Sequence, residues 1–175
     1  FRLTQGKVHA TDTTHASRTG LLDLVQMQWD DSLLSLFGIE ARWLPEVMAS
    51  AAHFGVCDES LGIGSLPIVA VAGDSHAALI GHGDFTVGSI KATYGTGSSL
   101  MALVSSSQTQ ASKLARTVAW TLPGGNLRSG TQYALEGNIT MSGAALQWVG
   151  QFLGLADPAA GAAKPEPVGP DADQL

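Results

Sequence analysis

The stretch Pro67-Ile68-Val69-Ala70-Val71-Ala72-Gly73-Asp74-Ser75-His76-Ala77-Ala78 constrains the fold of this chain more than any other. Apolar, largely β-branched residues run between a proline and a glycine, a pattern that predicts a short strand over 68–72 covered on both faces. Asp74 follows where that strand stops, and Ala77-Ala78-Leu79-Ile80 then begins a helix. In an open α/β sheet, an acid beyond the carboxyl end of a strand stands where ligands collect. It also stands where an N-cap stands, accepting hydrogen bonds from the first helical N–H groups for roughly 1 kcal/mol. Position alone leaves both roles open.

The chain has 175 residues, 45% of them hydrophobic and 14% charged, enough for one ordinary domain or parts of two with a sizeable core. The net charge of −6 comes without any basic cluster, which excludes nucleic acid or an anionic membrane surface as the main partner. The single cysteine, Cys57, excludes an internal disulfide and a multi-cysteine metal site, and it fits a reducing, cytoplasmic setting. No apolar run reaches the roughly 18 residues that a membrane helix needs. The opening Phe1-Arg2-Leu3-Thr4-Gln5 matches neither a signal peptide nor a natural initiator, and reads as cut from something longer.

Along the chain, residues 4–19 have loop chemistry, rich in Thr, Ser and His. Residues 20–27 carry apolar side chains at helix-compatible spacing, with Ser17 or Thr19 as cap. His15 and Arg18 offer an anion contact, although ordinary loop hydrogen bonding is the plainer account. A second short helix is expected over 32–37, capped by Asp30 or Asp31 and stopped by Gly38. A break at Trp43-Leu44-Pro45 precedes another expected helix over 46–54 and a glycine-dotted connection over 55–66. Beyond a hinge at Gly81-His82-Gly83-Asp84 the period changes to that of strands, predicted over 89–94, 99–104, 117–122 and 132–135. Short turns between them predict an antiparallel meander. Met141, Ala145, Trp148, Phe152 and Leu155 mark one face of an amphipathic helix capped by Asn138 or Thr140. The Pro-, Ala- and Gly-rich tail, 158–175, cannot bury enough surface to offset its chain entropy and is expected to be disordered or a linker.

A second chemical candidate is Thr93-Tyr94-Gly95-Thr96-Gly97-Ser98-Ser99. Two glycines in a tight turn let backbone N–H groups approach a phosphate, and the interleaved hydroxyls add donors. A plain hairpin turn has the same composition. Taken together, Asp74 as a general base and the Gly95–Gly97 turn as a phosphate cradle supply the parts phosphoryl transfer needs. Two rivals compete for the first site. Gly73-Asp74-Ser75-His76-Ala77 approximates a nucleophile elbow with Ser75 as nucleophile, but Ala77 replaces the last glycine and His76 is adjacent rather than distant. His76 and His82 with Asp74 suggest metal ligation, against which their six-residue spacing speaks.

Thr11-Asp12, Ala16-Ser17-Arg18-Thr19, Leu44-Pro45, Gly73-Asp74, Ala77-Ala78, Lys91-Ala92-Thr93-Tyr94-Gly95-Thr96-Gly97, Tyr133-Ala134-Leu135-Glu136-Gly137, Gly143 and Gln147-Trp148 occur in this order. The ordered set, over residues 4–155, closely resembles the FGGY carbohydrate kinases, glycerol kinase more than other branches. The resemblance implies an α/β, actin-like and ribonuclease H-like fold in two domains, with Mg2+ and ATP in the cleft between them. This chain would hold the end of the first domain (1–83) and the first half of the second (84–157). Asp74 matches the family's catalytic base, and Ser75 a neighbouring substrate-touching position. Thr96, flanked by Gly95 and Gly97, matches the threonine that meets the ATP phosphates. The implied partner is a small sugar or polyol, with a homo-oligomer as the intact enzyme.

Two departures fall on the substrate side. Ser75-His76 stands where glycerol kinases usually carry Gln-Gln, and Ser99 replaces a bulky aromatic. A pentulose, another polyol or a different sugar therefore stands beside glycerol as the expected substrate. The family's N-terminal phosphate loop with its magnesium-associated acid, its upstream substrate residues and its adenosine-binding glycine motif are not within these residues, so the piece alone is expected not to turn over ATP. A non-catalytic actin-like nucleotide-binding protein is the alternative from another functional class.

Overall fold

The strand covered on both faces lies at 117–121, not at 68–72. Every residue there is buried, and the two faces meet different layers. Val118 packs with Ala16, Leu22, Met27, Val104 and Tyr133, whereas Ala119 and Trp120 pack with Leu79, Met101, Leu103 and Ala134. Adjacent residues in a strand point to opposite faces. The alternations Leu103/Val104, Val118/Ala119 and Tyr133/Ala134 therefore feed two cores from one sheet.

The computed structural model describes residues 1–105, 114–124 and 126–155. The tail expected to be disordered, 158–175, lies outside them. In chain order the elements are β1 (Ala10–Asp12), α1 (Thr13–Ala16), β2 (Leu22–Asp23), β3 (Gln28–Trp29), α2 (Asp31–Phe37), β4 (Glu46–Met48), α3 (Asp74–Gly81), β5 (Ile90–Tyr94), β6 (Ser98–Val104), β7 (Ala115–Thr121), β8 (Thr131–Ile139) and α4 (Gly143–Phe152). They divide into two compact units. The first comprises Phe1–Thr93 and Ser99–Asn138; the second comprises Tyr94–Ser98 and the described residues from Ile139 onward.

In the first unit the four-stranded sheet has the order β5-β6-β8-β7, which corrects the meander. β8 inserts between β6 and β7 and runs antiparallel to β7, from Ala115 opposite Glu136 to Thr121 opposite Thr131, with a bulge between Val118 and Trp120. Strand positions in this region agree closely with the sequence pattern; pairing order is a tertiary choice among strands of similar composition.

Up to residue 72 the pattern misled in five places. Residues 10–12 form β1, and a parallel partner, β4, occupies the start of the expected 46–54 helix, with Thr11 opposite Val47. Within 4–19, Thr13–Ala16 is a helical turn rather than loop. Residues 20–27 make the β2–β3 hairpin instead of a helix. Gly20 sits at φ 72°, and Asp23 Oδ1 accepts from the backbone N–H of Val25 and Gln26 at 2.7 and 2.9 Å, so a side chain closes the turn that a helix would have used. Residues 68–72 form no named strand. They run beside 50–57 through Ile68 N–H to Gly55 O (2.8 Å), Phe54 N–H to Ile68 O (2.8 Å) and Val71 N–H to Ser50 O (2.9 Å), and Val69 is exposed.

α2 forms as its residues dictate. Asp30 caps it by accepting from Ser32 and Leu33 N–H at 2.9 and 3.0 Å, and Gly38 ends it at φ 65°. α4, in the second unit, confirms the amphipathic helix, but its N-cap is Ser142, without a side-chain cap bond, rather than Asn138 or Thr140. Trp148 and Phe152 stack at 5.4 Å on it. Among the described residues no helix is long and apolar enough to cross a membrane.

Leu79 carries α3 onto the sheet and is almost wholly buried against Met101 and Leu103. Leu79→Ala should lower unfolding free energy by about 2–4 kcal/mol. Chemical denaturation of the protein checks this, and a loss below 1 kcal/mol would mean that α3 is not anchored there.

Candidate active site

A buried carboxylate organises the first unit. Asp12 ends β1 fully inaccessible and caps α1, where its oxygens accept from Thr14 N–H (2.9 Å), Thr14 Oγ1 (3.0 Å), His15 N–H (3.2 Å) and Ser50 Oγ (2.8 Å). His15 Nδ1 lies 2.6 Å from Asp12 Oδ1. Burial pushes the Asp12 carboxyl up, but the hydrogen bonds from Thr14, His15 and Ser50 together outweigh it and hold the group below the ordinary carboxylate range.

From this anchor the chain reaches α3. Thr14 Oγ1 accepts the Gly73 N–H at 2.9 Å, which fixes the residue preceding Asp74. Gly73 is itself constrained, since a Cβ there would lie 2.8 Å from His76 Nδ1. His76 is buried with Nε2 3.3 Å from Thr117 Oγ1. Burial, helped by the charge of Arg18, lowers its pKa and keeps the ring neutral. Ser17 Oγ donates to Thr14 O (2.8 Å) and lies 2.9 Å from Thr117 Oγ1, tying α1 to β7.

Asp74 opens α3 as its first residue, and Gly73, not Asp74, is the cap. The capping role is thereby corrected. The Asp74 carboxylate is exposed, accepts the N–H of Ser75 at 2.7 Å, and sits in the first helical turn, where the macrodipole favours negative charge. Asp74 and Ser75 line a cleft of about 480 Å³ with Thr14, His15, Arg18, Gly73, His76 and Glu136. Across it Arg18 and Glu136 form an ion pair at 2.6 Å, and Ser99 Oγ donates to Glu136 at 3.2 Å. Lys91 Nζ, buried, reaches Ser75 O at 3.4 Å.

The structure thus adds His15, Arg18 and Glu136 to the pair expected from sequence. His15 and Arg18 had the plainer reading of loop contacts beside that of an anion contact; Arg18 and Glu136 belong to the ordered motif set, and His15 does not. His76 faces Thr117 rather than Ser75, so these two residues form no Ser–His dyad. Among the described residues no group of three or more His, Cys, Asp or Glu side chains is placed to hold a metal.

Gly95, Thr96 and Gly97 lie in the second unit. Their turn packs on the start of α4: Gly95 O accepts from Gly143 N–H, and Thr96 O from Ser142 and Ala144 N–H, each at 3.1 Å. A Cβ on Gly97 would lie 2.8 Å from Ile139 O, and one on Gly143 would overlap Gly95 O. Thr96 is exposed at the tip. Such a close-packed glycine turn with an outward hydroxyl suits a phosphate.

Residues 1–81 match the family model of the FGGY family of carbohydrate kinases, N-terminal domain. Over those residues the chain belongs to the FGGY family of carbohydrate kinases. It is 44% identical over 155 residues to a glycerol kinase of Geobacter sp. (strain M21), covering 89% of this chain and 30% of that protein. Against an apulose kinase of Pectobacterium atrosepticum it is 46% identical over 158 residues, covering 89% and 31%. In structure it is similar to Plasmodium falciparum glycerol kinase with ADP, at TM-score 0.78 and 31% identity, covering 91% of this chain and 32% of that one. A xylulose kinase from Lactobacillus acidophilus aligns at TM-score 0.67 and 26% identity, covering 87% and 30%. The α/β fold is that of FGGY kinases, within the actin-like superfamily. The chain spans about a third of the length of these relatives.

The Asp12 network makes a pH prediction. A carboxyl held below its ordinary value of 3.8 contributes stability that is complete above that value and lost as pH falls through the folded pKa. Asp12→Asn, which leaves buried donors without an acceptor, should cost about 2–4 kcal/mol at neutral pH. Urea unfolding from pH 7 to pH 3 should show that difference shrinking below about pH 4, and a difference independent of pH would refute the ionised assignment.

Proposed function

We propose that this chain serves ATP-dependent phosphorylation of a sugar or polyol hydroxyl, with Asp74 as general base. It supplies the end of the first FGGY domain, through about residue 83, and the first half of the second, about 84–157. The activity belongs to the whole protein, and the piece alone does not turn over ATP.

The carrying observation is the division of labour among three carboxylates. Asp12 is buried in its own hydrogen bonds, Glu136 is paired with Arg18 and Ser99, and Asp74 stands exposed at the cleft. An exposed carboxylate at the first turn of a helix, held by one backbone bond, is a fitting acceptor for a substrate proton. As the hydroxyl oxygen forms its bond to the γ-phosphorus, the bond to the β-phosphate oxygen breaks, ADP departs, and the proton passes to Asp74. Mg2+ bound with ATP neutralises phosphate charge in this chemistry. Gly95, Thr96 and Gly97 are the residues here that would meet the phosphates, through backbone approach and the Thr96 hydroxyl. Names among the relatives, glycerol, apulose and xylulose kinase with a gluconate kinase beside them, support a polyol, a ketose or a related sugar derivative as substrate class.

The test is ADP release by the intact kinase with glycerol, other polyols, ketopentoses and hexoses. Asp74→Asn should lower kcat on the best of them by about 10²–10⁴-fold while ATP binding changes little; near-normal kcat would remove Asp74 from the role. ATP binding without turnover on any of them would favour a nucleotide-binding protein without catalysis. Gly97→Ala, whose Cβ meets the Ile139 carbonyl, should raise the KM for ATP about tenfold or more, a cost of ~1.4 kcal/mol. Steady-state kinetics with ATP varied check this, and an unchanged KM would separate the turn from the phosphates.

A further inference from the structure

We propose that His15 is a substrate-binding residue of the Asp74 cleft, held by Asp12 so that its Nε2 accepts a hydrogen bond from a non-reacting hydroxyl of the substrate. The inference rests on the kinase reading and names a recognition contact within it.

The tautomer follows from the partner. Asp12 is wholly buried, its oxygens gather hydrogen bonds from Thr14, His15 and Ser50, and an ionised carboxylate only accepts. At 2.6 Å from Oδ1, His15 Nδ1 therefore carries the hydrogen, and in the neutral ring Nε2 keeps a free lone pair. The ring is not a core histidine, because its side chain is 51% exposed and lines the cleft with Asp74 and Ser75. Its neighbours there are committed elsewhere: Arg18 to Glu136, and His76 Nε2 toward Thr117. His15 thus joins a rigid anchor to an open acceptor edge, the arrangement that orients an imidazole for binding.

The surrounding charge selects the ligand class. The titratable and charged groups around the ring are Asp12 behind it, with Arg18, Asp74, His76 and Glu136 along the cleft wall. The lining guanidinium is already spent on Glu136, so a substrate carboxylate finds no uncommitted lining cation and faces Asp74. A hydroxyl donor meets His15 without penalty. The cleft therefore favours a neutral polyol or ketose over a sugar acid.

The intact kinase is first assayed with glycerol, D-xylulose and D-gluconate. Turnover that is lost in Asp74→Asn establishes the kinase reading independently. His15→Ala should then raise KM for the better neutral substrate at least tenfold with kcat within about threefold. Monodeoxy analogues of that substrate supply the decisive cycle. One of them should cost the wild type about tenfold in kcat/KM and His15→Ala less than about twofold. Equal penalties in both proteins for every analogue overturn the proposal, as does gluconate as the preferred substrate. Should His15→Ala misfold, wild-type enzyme treated with diethylpyrocarbonate decides by peptide mapping. Saturating neutral substrate should protect His15 from carbethoxylation at Nε2, and undiminished labelling refutes the contact. If no substrate turns over, protection of His15 by glycerol or xylulose still supports the contact while the kinase reading fails.

Discussion

Desolvating the Asp12 carboxylate is a cost that the first unit must meet, and its neighbourhood is built to offset it. The penalty for a buried ion is several kcal/mol unless hydrogen bonds replace its lost water. Here the replacements come from both near and far in the chain: Thr14 and His15 follow it directly, and Ser50 lies beyond β4. Ser50 in turn binds Thr121, donating its N–H to Thr121 O at 2.9 Å and accepting the Thr121 N–H on Oγ at 3.2 Å. Satisfying one anion therefore stitches β1, α1, the segment after β4 and β7 together.

The same network carries the site. The Thr14 hydroxyl serves Asp12 with its hydrogen and Gly73 with a lone pair, so the start of α3 is registered against β1 through a single hydroxyl. Asp74 is then free of structural duty, because its neighbours perform it. Hydroxyls dominate this interior: Thr13, Thr117 and Thr121 are fully buried, and Thr13 Oγ1 lies 2.8 Å from Thr121 Oγ1. A hydroxyl both donates and accepts, which lets such a chain close without leaving an orphan. Rigid support of this kind holds the Asp74 carboxylate in place without consuming its acceptor capacity.

The sheet shows why apolar runs mislead. Ile68 to Ala72 reads as a doubly buried strand, yet Val69 is exposed and the segment joins no sheet. Ala115-Arg116-Thr117-Val118-Ala119-Trp120-Thr121 is less apolar, yet it is buried on both faces from Thr117 onward. Its threonines are paired with Thr13, Ser17, Ser50 and Thr131, contacts made across the sequence that no local window contains. Arg116 adds a cation over the Tyr133 ring at 4.1 Å, while the Tyr133 hydroxyl reaches Leu24 O at 2.8 Å.

What the sequence determined by itself were the features whose physics is local. The cap and stop of α2, the positions of β5 to β8, the amphipathic α4 and the paired signatures around Asp74 and Thr96 each depend on residues a few positions apart. The ordered motif set also carried the family. Tertiary structure alone decided the rest. It made β1 and β4 strands by pairing them in parallel, turned residues 20–27 into a hairpin through Asp23, and placed β8 between β6 and β7. It also brought His15, Arg18 and Glu136 to the Asp74 cleft, joining residues up to 121 positions apart through the burial of one carboxylate and the pairing of another. Such contacts are selected by the cost of leaving a charge unpartnered in the interior, a quantity that exists only once the chain has folded.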